Sequence, residues 1–244
     1  MTGQGFSIGL LLFPRLTQLD LTGPFEVFKR VPGGSVHLIW KTLDPIRADS
    51  GLGLLPTTTM ADCPALDVIC VPGGPGVAEL MEDEAVLDFL RQKAKTAKYV
   101  TSVCTGSLVL GAAGLLKGKR ATSHWMSRAM LKSFGAEPVA ERIVADGNTI
   151  TGGGVTAGID FALSIVGREF GKRTAEEIQL AIEYDPAPPF DSGSPRCADP
   201  ALVEEVSGCK VHDKVYKRDG AVCKNRDKQL TFIVRVMGSS FFKY

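Results

Sequence analysis

The stretch YVTSVCTGSLVLGAAG, Tyr99–Gly114, decides the fold. Tyr99–Val103 has the residues of a short buried strand. The strand ends on Cys104, and Thr105, Gly106 and Ser107 open a helix at once. A thiol at that joint sits where the backbone turns hardest. It also faces the unpaired N–H groups and positive dipole end of the new helix. Both favour the thiolate, which is the reactive form. Gly106 and Ser107 keep the first turn slim, so the backbone can pack close to the neighbouring strand. The expected geometry is a nucleophile elbow with cysteine in place of serine. It requires a strained or positive φ at Cys104. By itself the stretch fits a structural cysteine before an ordinary helix equally well.

Working outward, strand-length apolar runs alternate with helical patterns. FSIGLLLF (Phe6–Phe13), VHLIWK (Val36–Lys41) and LDVICVPGG (Leu66–Gly74) read as strands. The spacing predicts a helix after Thr22, its N-cap, with Pro24 in the first turn. LLPTTTM (Leu54–Met60) pairs with Ile46–Ala48 in a β-ribbon. ELMEDEAVLDFLRQKAK (Glu79–Lys95) reads as one amphipathic helix carrying Leu80, Leu87 and Leu90. RATSHW (Arg120–Trp125) is short and extended, with a helix at Ser127–Phe134. Asp146-Gly147 marks a hairpin between two β runs, and two more helices follow. Such alternation implies an α/β fold with a mostly parallel sheet and helices on both faces. Ligands in these sheets gather at the carboxyl ends of the strands. CVPGG, SVCTG and TGGG all lie at such ends and can converge on one crevice.

Three neighbouring motifs bear on Cys104. VPGGPG (Val71–Gly76) leaves a buried strand on glycines whose amides can turn towards a ligand. Gly73 and Gly74 beside a thiolate would form an oxyanion hole; a tight turn is the plainer reading. TGGGVTAG (Thr151–Gly158) makes a similar loop, with Gly153 as a third candidate, and lacks the lysine and spacing of a phosphate cradle. Asp20, in QLDLTGP, stands between two leucines past the first strand. An acid in apolar surroundings has a raised pKa and can pass a proton to and from a thiol. A dipole-stabilised acid at a helix start is the equal alternative. Of three histidines, His37 is mid-strand, His212 lies in the tail and His124 reads as scaffold. Thr105, not histidine, follows the cysteine.

The 244 residues fit one large α/β domain or a domain with an appendage, and 44% hydrophobic content suffices for a sizeable core. A net charge of +1 gives no reason to expect nucleic acid or an anionic membrane as partner. No segment reads as a signal peptide or membrane span, so a cytoplasmic protein is expected. The six cysteines form no CxxC and no zinc-ligand spacing, so no metal is expected. Cys70 reads as a small core residue and Cys63 as a loop thiol. Ser192–Tyr244 differs in character: ten Lys/Arg and six Asp/Glu give it net +4, against −3 for the rest. Its last part, LTFIVRVMGSSFFKY, is apolar and β-prone. The expected division is a catalytic domain over 1–195 and an atypical extension over 196–244.

With these residues in view, the chain resembles the DJ-1/PfpI superfamily, and within it the isonitrile hydratases. LDLTGP, LDVICVPGG, YVTSVCTGSLVLGAAGLLKGKRATSHW, TGGGVTAGIDFAL and EYDPAPPFDSGSP carry the likeness, from Phe6 to Pro195. The resemblance implies a flavodoxin-like sandwich of the class I glutamine amidotransferase type, assembled as a homodimer, with no cofactor. It implies Cys104 as nucleophile, Asp20 as acid/base partner and Thr105 as a positioning residue. The implied reaction adds water to a small-molecule isonitrile through a covalent thioimidate and releases an N-substituted formamide. A ligand-sensing domain without turnover and a glyoxalase- or deglycase-like enzyme are the alternatives. From Ser207 onward the likeness stops.

Overall fold

The computed structural model describes residues 5–208. Cys209, His212, Cys223 and the β-prone end of the chain lie outside the described residues. The long apolar runs become the interior strands. Ser7–Leu11 (β1), Ser35–Trp40 (β2), Thr58–Thr59 (β5), Val68–Val71 (β6), Tyr99–Val103 (β7), Ile143–Asp146 (β10) and Thr149–Gly152 (β11) form one sheet. Its order is β10-β11-β7-β6-β1-β2-β5. Every pairing is parallel except the β10–β11 hairpin at the edge, which turns at Asp146-Gly147 as expected. This is the α/β flavodoxin-like sandwich. Its core strand β6 is buried at every position, because helices cover both faces of a parallel sheet.

The chain runs from β1 outward to β2 on one side and later to β6 and β7 on the other, so the strand order reverses beside β1. That is where α/β sheets open a crevice at the carboxyl ends. Three connections leave the sheet there: β1 into the helix Gln18–Phe28 (α1), β6 into Val77–Leu80 (α2), and β7 into Gly106–Ala112 (α4). A two-stranded ribbon, Ile46–Arg47 (β3) with Gly53–Leu54 (β4), stands apart from the sheet. Ala157–Phe170 (α5) lies against α1, with Gly158 so close to Pro24 that a Cβ there would meet the Pro24 ring at 2.8 Å.

Several boundaries differ from expectation. Helix α1 starts at Gln18 rather than after Thr22, and Pro24 lies inside it. Contact of Pro24 with Gly158 holds a proline that helix propensity alone would push to the first turn. Asp20 consequently sits within the first turn of α1, the helix-start position that was one of its two expected settings. Thr58–Thr59 pairs with β2 in the main sheet, not with the ribbon. The expected single helix over 79–95 is two: Asp83 caps Glu84–Ala94 (α3) through the Val86 amide and separates it from α2. Arg120–Ala121 (β8) pairs with Glu137–Pro138 (β9), and the helix between them, Arg128–Phe134, is 3-10. Lys172–Ala181 (α6) and Pro200–Ser207 (α7) complete the described elements.

Candidate active site

The elbow forms as its sequence requires. Cys104 has φ 56°, in the left-handed region that a non-glycine residue rarely occupies. Such a conformation costs roughly 1–3 kcal/mol and persists only where its surroundings fix it. Here they fix it from both sides. The Cys104 N–H donates to the carbonyls of Gly152 at 3.1 Å and Gly153 at 2.8 Å. The Cys104 carbonyl accepts from the Ser107 hydroxyl at 3.1 Å and the Ser123 hydroxyl at 3.0 Å. Gly106 lets α4 press against the end of β6: a Cβ there would lie 2.1 Å from the Val71 carbonyl oxygen. Ser123 was not singled out by sequence reasoning. Its signal, a serine just beyond a short extended run, is too common to identify it.

Asp20 meets the elbow from α1. Its side chain is fully buried, and the Gly73 N–H donates to Oδ2 at 3.0 Å. The second oxygen, Oδ1, has no hydrogen-bond partner among the described residues. The Cys104 thiol and this carboxyl are hydrogen-bond partners, an interaction that lowers the pKa of the acid and raises that of the thiol. Burial pushes the Asp20 pKa up to about 8, against the pull of the Gly73 amide and the thiol. Asp20 is therefore a neutral acid at neutral pH, as its apolar setting suggested.

The thiol departs from expectation. Burial, followed by the Asp20 charge, holds Cys104 well above the ordinary thiol range. The Thr105 amide and hydroxyl both bond towards the sulfur and pull the other way. A seven-residue helix does not outweigh removal from water: only 7% of Cys104 is exposed. Burial therefore works against the helix start and the Thr105 groups at this sulfur.

The glycines are also placed differently from an oxyanion hole. The Gly73 amide is engaged by Asp20, the Gly74 amide donates to Thr105 Oγ1 at 3.0 Å, and the Gly153 amide donates to the Arg142 carbonyl at 2.8 Å. These amides orient side chains rather than wait for an anion. Gly73 has no room for another residue: a Cβ would lie 2.6 Å from the Thr105 nitrogen and Oγ1 and 2.8 Å from Asp20 Oδ2. Gly74, at φ 131°, packs on the Arg15–Thr17 backbone. With Thr105 Oγ1 accepting from Gly74, its proton is left to point at the sulfur. Thr105 thus joins the loop after β6 to the nucleophile.

A cleft of about 570 Å³ opens beside the elbow. Ser123 and Gly153 form part of its wall, and both bond the Cys104 backbone. His124, Arg128 and Arg142 line it, and Gly193–Arg196 closes one side. Burial, with Arg128 nearby, pushes the His124 pKa down to about 4, so this imidazole is neutral. His37 lies away from the site, beside Ser35 and Thr58. No group of His, Cys, Asp and Glu among the described residues could hold a metal ion.

Comparison with known proteins agrees with this geometry. The DJ-1/PfpI family pattern matches residues 7–168. The chain is 62% identical over 199 residues to an isonitrile hydratase of Pseudomonas putida, covering 82% of this chain and 87% of that protein. It is 31% identical to the HTH-type transcriptional regulator GbdR of Pseudomonas aeruginosa, covering 73% of this chain but 51% of the regulator. Among solved structures, a ThiJ/PfpI family protein from Pseudomonas syringae superposes with a TM-score of 0.82 at 40% identity, covering 96% of this chain and 91% of that one. The chain belongs to the DJ-1/PfpI family.

Proposed function

We propose that this protein is an isonitrile hydratase in which Cys104 is the nucleophile, Asp20 the acid/base and Thr105 the residue that orients both. The observation that carries the reading is a fully buried Asp20 carboxyl, held by the Gly73 amide and interacting with the thiol of a cysteine at positive φ. An isonitrile carbon takes a proton and a sulfur at the same atom. Asp20 gives its proton to that carbon as the Cys104 sulfur bonds to it, and the thiol proton passes to Asp20. The product is a thioimidate, with hydrogen and sulfur both on the former isonitrile carbon. Water then adds to this carbon, the carbon–sulfur bond breaks, and the sulfur regains a proton as the N-substituted formamide leaves. No step requires a resident thiolate.

The 62% identity to the Pseudomonas putida isonitrile hydratase supports the same reading. With it go a cytoplasmic homodimer acting on a free small molecule, without nucleic acid or membrane partner, and a catalytic domain over 1–195 followed by an extension over 196–244. Gly73, Gly74 and Gly153 hold the site in shape rather than bind the substrate. The test is incubation with a simple alkyl isonitrile, followed by NMR detection of the N-alkyl formamide. Turnover is expected to fall as pH rises through about 8, where Asp20 loses its proton. Tight binding without product would favour the ligand-sensing alternative. Turnover of methylglyoxal with none of isonitrile would favour the glyoxalase-like one.

A further inference from the structure

Thr17 is the residue at which α1 begins, and its hydroxyl does not cap the helix. It donates instead to Asp49 Oδ2 at 2.7 Å, on the turn of the β3–β4 ribbon. The Asp49 N–H donates to the Leu16 carbonyl at 2.9 Å, so Asp49 grips the chain on both sides of the Leu16–Thr17 peptide. The same short segment carries the site. The Thr17 N–H donates to the Gly73 carbonyl at 2.9 Å, and the Asp20 N–H donates to the Thr17 carbonyl at 3.0 Å. Gly74 lies flat on Leu16 and Thr17, where a Cβ would meet the Thr17 nitrogen at 2.4 Å. Asp49 is therefore one hydrogen bond from the joint that fixes both Asp20 and the Gly73 amide bound to it.

We infer that Asp49 is a positioning residue for the reaction proposed above: its carboxylate fastens Thr17 and so holds the start of α1, and Asp20 on it, against the elbow. Two jobs meet in one side chain. The hydrogen bond sets the direction of the first turn of α1. The negative charge disfavours a second negative charge on Asp20, and Asp49 does raise the Asp20 pKa. The other groups acting on Asp20 are the Cys104 thiol and the Gly73 amide, both of which lower it; Cys70, on β6, is near enough to feel the Asp20 charge. Asp49 is the charged side chain that supports the acid form. It is half-buried and is not among the residues that line the cleft.

Asp49→Asn separates the two jobs, since an amide oxygen still accepts from Thr17 while the charge is gone. Asp49→Glu keeps the charge. The inference rests on the hydratase reading, so the decisive measurement does not need turnover: a carbon-13 NMR titration of the Asp20 carboxyl in the full-length protein, with Asp20→Asn assigning the signal. In Asp49→Asn, the Asp20 titration is expected to move down by about half a pH unit. The alkaline limb of the kcat/KM profile should move with it. Asp49→Glu should restore both, and the melting temperature should stay within a few degrees. An Asp20 titration unchanged in folded Asp49→Asn would overturn the inference. If no isonitrile is turned over, the titration still decides the role of Asp49, and only the hydratase reading falls.

Discussion

Two buried cysteines on adjacent strands make the instructive comparison. Cys70 sits mid-strand in β6, paired in register with Leu10 and Thr101, and is fully buried. Cys104 sits one residue past β7 and is nearly as buried, at 7%. Burial raises both thiols; Cys70 is pushed up to about 12. Low accessibility and a high pKa therefore do not tell a core thiol from a working one. What differs is the backbone and what the side chain faces. Cys104 has φ 56°, four hydrogen bonds fixing its peptide groups, and a neutral acid opposite it. Cys70 lies in an ordinary strand, with the Thr101 side chain beside its sulfur and the Asp20 charge acting on it only from a distance. Chemistry in this fold comes from where the sheet ends, not from thiol ionisation alone.

Substitution sharpens that contrast. Cys104→Ala should lower isonitrile turnover by about 10³-fold or more, since among the described residues Cys104 is the thiol that hydrogen-bonds Asp20. A steady-state formamide assay reads this. Asp20→Asn should lower kcat by roughly 10²–10⁴-fold by removing the transferable proton. The same change should stabilise the fold at alkaline pH. The unfolded chain releases the Asp20 proton near pH 4, while the folded protein keeps it to about 8. Stability associated with Asp20 is thus full below pH 4, declines between pH 4 and 8, and is flat above. Asparagine removes that decline, so denaturant melts at pH 8 should show Asp20→Asn more stable by about 1–3 kcal/mol. Equal stabilities at pH 8 would mean that the acid is not buried neutral.

Gly73→Ala tests whether the loop after β6 positions the site. Its methyl would press on Thr105 and Asp20 together, and a loss of roughly 10–100-fold in kcat is expected, with about 1–3 kcal/mol of stability. The smallest effect belongs to the other cysteine. Cys70→Ala should leave turnover within about twofold and cost about 1 kcal/mol in a denaturant melt, the effect of a small cavity. A large catalytic loss there would erase the distinction between the two thiols.

The contrast also explains what was legible in the sequence. Strands β1, β6 and β7 follow from apolar runs, because only a strand buried on both faces is so uniformly apolar. The elbow follows from a cysteine between such a run and Thr-Gly-Ser, and the tight packing at Gly106 follows from its missing Cβ. The preference of proline for a first turn puts the expected start of α1 five residues late, and a contact from distant Gly158 overrides that preference. The helix terminus that favours the Cys104 thiolate is local and visible in the sequence, whereas the burial that raises its pKa is a property of the assembled fold. The partners of the Gly73 and Gly74 amides are equally invisible in the sequence, since Asp20 and Thr105 lie 53 and 31 residues away in the chain. The link from Asp49 to Thr17 leaves no mark in sequence spacing.

The most direct measurement is mass spectrometry of the intact protein and its peptides after rapid quenching with an alkyl isonitrile at pH 6–7. A thiol that adds across the isonitrile carbon gains the whole reagent mass with no atom lost. The account predicts that gain on the Cys104 peptide alone, absent in Cys104→Ala and not found on Cys70. Formamide released at the wild-type rate by Cys104→Ala would contradict it.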